Sequence, residues 1–480
     1  MPDVHLFLLI HGLWGRPNHL SEAKAELEAA WKSSSPSTTP STDQTPCPSP
    51  SLSTGSDDTA VNSFPCTPRD DLVVVVAEGM TAKLTYDGVD VCASRVAWEV
   101  DQHIAALEAD NRRVARISIL GYSLGGLVAR YLVGLLAART PSFFDKVTPV
   151  SFTTIATPHL GVPRYNTLIS NIVGWLGARL LSRSGEQVHL VDSYSETDPR
   201  PLLEVMADPK HVWHQALARF ANVHIYANMV NDNTVPYPSA AIEPTDPFVQ
   251  WVERGLKVTA HEAIGSAWEL PVPGAPRRKA SFHLGNLPPT LRFRWPYSWL
   301  ILALFPIFVP LIALFVFFRF SLDTRRSRLR LQRLARNYAN TNLPCGSEAI
   351  HIPSSHGQSI DGLRAAIRMV ERSLEQDLMD AADHAGMGPS PPEVEPDSPM
   401  YPAPTIKALL TDRQHVMVHW LNQLPLRRHL VWLPDVVNAH AVIVVRDPAK
   451  FPVHNLGRSV LKHWAHLAVC DAEEVDLVKF

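Results

Sequence analysis

A mostly parallel α/β sheet with helices on both faces is the fold class the sequence predicts, and two observations carry it. Apolar runs of strand length recur at Val4–Ile10, Leu72–Ala77, Ile117–Leu120, Val150–Ala156 and Val223–Met229. Helical segments lie between them, a polar one at His19–Lys32, another around Val91–Asn111, and one after Gly121 with apolar residues at helical spacing. Strands that alternate with helices are joined by crossovers, and crossovers leave neighbouring strands parallel. The unbroken run LVVVVA suits a strand covered on both faces.

The stretch Val114–Val133, VARISILGYSLGGLVARYLV, organises the rest. Its β-branched run meets Gly121-Tyr122-Ser123-Leu124-Gly125-Gly126, so it reads as strand, tight turn and helix. Such a turn holds a serine in a strained conformation with its hydroxyl exposed, which makes Ser123 the predicted nucleophile. Gly121 and Gly125 are needed because side chains there would collide with the strand or the helix. The first strand runs into His11-Gly12-Leu13-Trp14-Gly15. A glycine-bearing loop at that place can turn the N–H of Leu13 towards the nucleophile, and with the N–H of Leu124 this makes the two-donor pocket an acyl-transfer oxyanion needs. His11 and Gly12 are assigned to the structure of the loop.

An acid and a base should follow the serine in that order, each at a strand's carboxyl end. The run VHIYANM leads directly into Asn231-Asp232-Asn233-Thr234-Val235-Pro236, which makes Asp232 the orienting acid of an α/β-hydrolase triad. Arg428–Leu433, RHLVWL, is the expected last strand, and His440 in the segment after it is the expected base. His454 and His261 are the alternatives. His159, in Thr157-Pro158-His159-Leu160-Gly161, is read as structural, and His463 and His466 as surface or packing residues of an amphipathic helix, Gly457–Ala468. Ser182–Met206 has loop composition and is a possible lid. The chemistry requires no metal or organic cofactor.

HGLWG, GYSLGGLVARY, ATPHLG, the SRSGEQ stretch and YANMVNDNTVPY together resemble the DUF676 serine-esterase family of fungal, ROG1-type lipase-like proteins. The resemblance runs from Val4 to about Ala241 and resumes near the C-terminus, where HAVIVVR (His440–Arg446) matches a further motif. It implies an α/β-hydrolase fold and hydrolysis of glycerolipid or phospholipid esters.

Composition sets the remaining bounds. The chain has 480 residues, 46% of them hydrophobic, and a net charge of -3, which gives no case for nucleic acid as a partner. Cys47, Cys66, Cys92, Cys345 and Cys470 lack metal-ligand spacing and read as reduced thiols. No charged n-region precedes Val4, so no secretory signal is expected. The 41 prolines concentrate in insertions, the first a Ser/Thr/Pro-rich segment at 33–63 with almost nothing apolar to bury. Ser298–Phe318 has no charged residue and is about long enough to cross a bilayer; arginines flank it on both sides, and Pro306 and Pro310 interrupt it. The expected organisation is therefore a hydrolase domain over 1–270, a membrane segment at 295–320 that is either a hairpin or a span, a basic stretch, helical region and Pro-rich linker over 321–405, and completion of the hydrolase domain over 406–480. The expected partners are a lipid ester substrate and a membrane or lipid-droplet surface facing the cytosol, with protein partners undefined. An acyltransferase with the same triad and a catalytically inert membrane adaptor are the competing readings.

Overall fold

The computed structural model describes residues 1–34, 70–163, 182–248, 257–261, 264–269, 318–334, 336, 410–434, 436 and 438–477. Eight strands form one sheet: β1 (Asp3–Ile10), β2 (Asp71–Val76), β3 (Arg113–Tyr122), β4 (Thr148–Ile155), β5 (Asn222–Asn228), β6 (Lys257–His261), β7 (Ile264–Glu269) and β8 (Leu426–Val431). Their order is β2-β1-β3-β4-β5-β8-β7-β6. From β2 to β8 every neighbour is parallel, and β7 and β6 extend that edge as an antiparallel hairpin. The chain winds outward from β1 to β2, then crosses to β1's other side for β3. Winding therefore reverses between β1 and β3, and the loops leaving their carboxyl ends border the crevice where open α/β sheets bind ligands.

Burial follows the pleat. Val4, Leu6, Leu8 and Ile10 of β1 join a core cluster with the helices Val89–Ala109 and Leu124–Ala137. Phe7 and Leu9 face the opposite cluster, formed with Ser21–Ser33 and Arg458–Leu477. Both faces are covered, and for that reason β1 is continuously apolar from Leu6 to Ile10 instead of alternating. Trp464, 1% exposed, meets Phe7 edge-on at 5.7 Å. Burying a side chain such as Phe7 contributes about 1.5–3 kcal/mol. The run LVVVVA lies at the sheet's edge as β2, where Val75 and, just past the strand, Ala77 are buried. Its side chains still pack on both clusters, Val73 on one and Leu72, Val74 and Val76 on the other.

The hairpin of β6 and β7 has no counterpart among the sequence expectations. Its strands are only five and six residues long, and the Glu262-Ala263 pair between them in sequence lacks the Asn-Gly or Gly-X pair that marks such turns. The Ser/Thr/Pro insertion beyond Ser34, the Pro-rich linker and the expected membrane segment, apart from 318–320, lie outside the described residues. Residues 318–334 are helical, and among the described residues no helix is long and apolar enough to cross a membrane.

Two histidines, the half-buried His429 and the buried His11, tie this packing to pH. Burial, with smaller contributions from the charges of His224, His463 and Arg427, lowers His429 of β8 to about 3, and burial lowers His11 to about 4. Both values lie below the roughly 6.5 of an unfolded chain, so the unfolded state takes up more protons once the pH falls under that value. Stability is therefore expected to be full above about pH 6.5 and to decline from there towards about pH 3. Thermal midpoints measured from about pH 8 to about pH 5 check this, and a midpoint that stays flat below about pH 6.5 would contradict it.

Candidate active site

Ser123 sits between β3 and the helix Leu124–Ala137 with φ 55° and ψ −127°. A non-glycine residue in this left-handed region is strained and persists only where its surroundings fix it. Here the Ser123 N–H donates to the Ile155 carbonyl at 2.9 Å, which ties the turn to the end of β4. A Cβ on Gly121 would lie 2.4 Å from Gly126 Cα, and one on Gly125 would lie 2.2 Å from the Ile10 carbonyl oxygen. The glycines therefore let strand, turn and helix close on each other and on the end of β1.

Three side chains distant in sequence meet at this turn. The Ser123 hydroxyl donates to His440 Nε2 at 3.0 Å, and His440 Nδ1–H donates to Asp232 Oδ2 at 3.0 Å. Ionised Asp232 can only accept, which fixes the tautomer with the proton on Nδ1 and Nε2 open towards the serine. The Asp232 side chain is 2% exposed. Its Oδ1 accepts from the N–H groups of Thr234 and Val235 at 3.0 and 2.8 Å, and Oδ2 also accepts from Asn228 Nδ2 at 2.8 Å. Burial alone would raise the pKa of this carboxyl. The charge and hydrogen bond of His440, with the Val235 and Asn228 donors, outweigh it and hold the group below the usual carboxylate range.

His440 lies in a short helix, Ala439–Val442, whose first turn is capped by Asn438 Oδ1. That segment is clipped to the Asp232 loop. Asn231 Nδ2 donates to the Leu433 and Pro434 carbonyls at 3.1 Å, and the Ala439 N–H donates to the Asn231 carbonyl at 2.7 Å. The Tyr122 hydroxyl donates to the His440 carbonyl at 2.9 Å, so the residue before the nucleophile also holds the histidine. Sequence reasoning missed Tyr122, Asn228, Asn231 and Asn438. The tandem Asn-Asp-Asn was visible, but which of its members orients the other loop depends on a contact some 200 residues away.

The loop after β1 flanks the nucleophile. A Cβ on Gly12 would lie 2.7 Å from Ser123 Cβ and 3.2 Å from its Oγ, so backbone lies against the serine there. Leu13, the next residue, is half-buried against the core, and Leu124 opens the helix, where amides have no intrahelical acceptor. His11 is fully buried, and its Nδ1–H donates to the Gly12 carbonyl at 3.1 Å. Gly12→Ala is expected to displace this loop and lower esterase turnover by about 100-fold, since an ångström of misplacement in a catalytic group is worth about that much. Steady-state kinetics beside a melting curve check it, and turnover within about threefold at unchanged stability would show that the loop has room to move.

The remaining histidines lie elsewhere. His159 Nε2 bonds Thr154 Oγ1 at 2.9 Å, and the buried Arg130 donates to the His159 carbonyl at 3.2 Å. Burial, with the charges of Arg130 and Arg428, keeps His159 neutral. His454 Nδ1 accepts from the Asp447 N–H, and His463 Nδ1 bonds the Tyr226 hydroxyl. His466 Nε2 lies 3.7 Å from Cys470 Sγ on the same helix. The backbone of His261 belongs to β6. In the segment read as a lid, Ser182–Val188 is a short helix that caps another. The Gly88 N–H donates to Ser184 Oγ at 3.0 Å and the Val89 N–H to Gln187 Oε1 at 2.7 Å, at the start of Val89–Ala109. Among the described residues no group of His, Cys, Asp and Glu is arranged to hold a metal ion.

Such a geometry defines a class, a serine backed by histidine and aspartate on a parallel α/β sheet, and sequence comparison finds a family that part of the chain resembles. Residues 60–243 match the family described as putative serine esterase (DUF676). A protein of Schizosaccharomyces pombe named a putative lipase is 36% identical over 132 residues, 27% of this chain and 17% of that one. Putative lipase ROG1 of Saccharomyces cerevisiae is 27% identical over 175 residues, 36% of this chain and 24% of that one. The match thus spans about a fifth of the length of these relatives. Phospholipase PlaB from Legionella pneumophila superposes with a TM-score of 0.25 at 12% identity, covering 49% of this chain and 41% of that one, a likeness too low to carry an argument.

Proposed function

We propose that this chain is a serine hydrolase of the α/β-hydrolase fold that cleaves acyl esters of glycerolipids or phospholipids at a membrane or lipid-droplet surface. The hydrogen-bonded series Ser123, His440 and Asp232 at the carboxyl edge of the sheet carries the reading. Ser123 Oγ attacks the ester carbonyl while His440 Nε2 takes its proton, and the N–H groups of Leu13 and Leu124 receive the developing oxyanion. The intermediate collapses, His440 returns the proton to the departing alcohol, and the acyl-enzyme remains. Water, deprotonated by His440, then attacks that ester and releases the fatty acid. Asp232 stays ionised throughout and stabilises the imidazolium.

The lipid substrate is supported by the names of the matching relatives. The surface is supported by the apolar run Ser298–Phe318. Because Ser123 and Asp232 precede that run and His440 follows it, a single complete crossing would part the base from its nucleophile, so the run is proposed to enter and leave the same face. Purified protein is expected to release fatty acid from phospholipid and diacylglycerol vesicles, and protease-cleavable tags placed at Ala275 and Asn340 in cells are expected to report one side. Cleavage of a short water-soluble ester without release from any lipid would overturn the substrate. Transfer of the acyl group to added glycerol in preference to water would make the enzyme an acyltransferase, and tags on opposite sides would overturn the hairpin.

A further inference from the structure

The basic helix over residues 318–334 is bound to the catalytic domain by one face and presents the other to solvent. At its centre lies Asp87, 0% exposed, at the end of the 3₁₀ segment Ala82–Asp87. Its carboxylate accepts from Arg330 Nη2 at 2.7 Å, from Ser327 Oγ at 2.6 Å and, within the domain, from Arg95 Nη2 at 2.6 Å. Removing Arg330 would leave a buried carboxylate with one of its two cations missing, so this contact fixes the helix's register on the domain. Further along the same face, Phe320 packs against Trp14 with ring centroids 5.8 Å apart. Trp14 is the residue after Leu13 in the loop beside Ser123, and its indole N–H donates to the Tyr86 hydroxyl at 2.8 Å. The docked residues Phe320, Asp323, Ser327 and Arg330 follow one another at steps of three and four, as one helical face requires.

The opposite face carries Phe318, Arg325, Leu329 and Arg333, at steps of seven, four and four. All four are exposed, Phe318 by 59% and Leu329 by 53%. Arg326 and Arg328 flank this stripe with side chains 54% and 56% exposed, the first against Asp323 and the second against Glu186. Two large apolar side chains among guanidinium groups suit an interface whose surface is anionic and whose interior is apolar, since the rings can enter the acyl boundary while the cations remain at the phosphates. The uncharged run Ser298–Phe318 leads in sequence directly into this helix, which favours a lipid surface over a protein partner. The whole chain has a net charge of -3, so the basic character of this face is not a property of the overall composition.

We infer that the exposed face of residues 318–334 binds anionic phospholipid headgroups, and that its docked face, through Phe320 and Trp14, ties the active-site loop to that lipid contact. The inference rests on the surface-acting reading above but has its own test. Full-length protein is floated with vesicles of phosphatidylcholine alone and of phosphatidylcholine with one-fifth phosphatidylserine, at low and high salt. Binding to the anionic vesicles is expected to exceed binding to the neutral ones and to weaken with salt. Each basic side chain at such a surface is worth roughly fivefold in partitioning, so the double substitution Arg325→Gln, Arg333→Gln is expected to cost about 25-fold on anionic vesicles and little on neutral ones. Both side chains are exposed, and the variant should keep its melting temperature and its hydrolysis of a water-soluble ester. Equal binding to both vesicle types, an unaffected double variant, or displacement of the protein from anionic vesicles by duplex DNA would overturn the inference. Anionic binding by a protein that cleaves no ester would instead overturn the catalytic reading and leave this one standing.

Discussion

Ser123→Ala is expected to abolish covalent labelling by a fluorophosphonate and to lower ester hydrolysis by on the order of 10⁴-fold or more. Removing a triad nucleophile costs about as much as removing the whole triad, because histidine and aspartate have nothing left to activate. What survives comes from the oxyanion donors and substrate binding alone. The substitution removes one oxygen from a side chain whose backbone already holds φ 55°. Alanine carries the same Cβ, so the strain at the turn does not change, and the fold should melt where the parent does. That separation makes the measurement decisive. Labelled peptides should map to Ser123, and hydrolysis within about tenfold of the parent by the purified variant would place the nucleophile elsewhere.

Much of this site was legible in the sequence because its parts are local. The nucleophile turn needs a strand, a serine and glycines at fixed offsets, and Gly121 and Gly125 stand where any Cβ would strike backbone at 2.4 Å or less. The parallel strands were legible as apolar runs because both faces of the sheet are covered. The supports of the triad were not. Asn231 bonds carbonyls about 200 residues on, and Tyr122 reaches a carbonyl more than 300 residues on, so neither leaves a periodicity or spacing to read. The basic stretch after the apolar run was visible only as charge. That Arg330 answers a buried Asp87, and that Phe320 reaches Trp14, follows from tertiary packing across about 240 and 300 residues of chain. The hairpin of β6 and β7 was missed for a different reason, since strands of five and six residues with only Val258, Ile264 and Trp268 as large apolar side chains have little apolar surface to announce them.

Asp232→Asn is expected to lower kcat by roughly 10⁴-fold while leaving substrate affinity close to that of the parent, the size of effect seen when a triad histidine is held in the wrong tautomer. The hydrogen bonds dictate which way the new amide points. Oδ1 accepts from two backbone N–H groups, at Thr234 and Val235, and an amide nitrogen turned to that side would lose both. The amide oxygen therefore takes the Oδ1 place, and its NH₂ faces His440 Nδ1 and Asn228 Nδ2. A donor at that point requires an acceptor on the ring. His440 must then carry its proton on Nε2, where it would donate to Ser123 instead of accepting from it, and the serine hydroxyl would keep its proton during attack. The lost carboxylate would also withdraw its charge from the imidazolium that forms as the oxyanion develops. Fluorophosphonate labelling of the variant should slow in parallel with kcat, and its KM should stay within about threefold. Activity within tenfold of the parent would show that Asp232 shapes its loop without orienting the base, and the acid would have to be sought elsewhere.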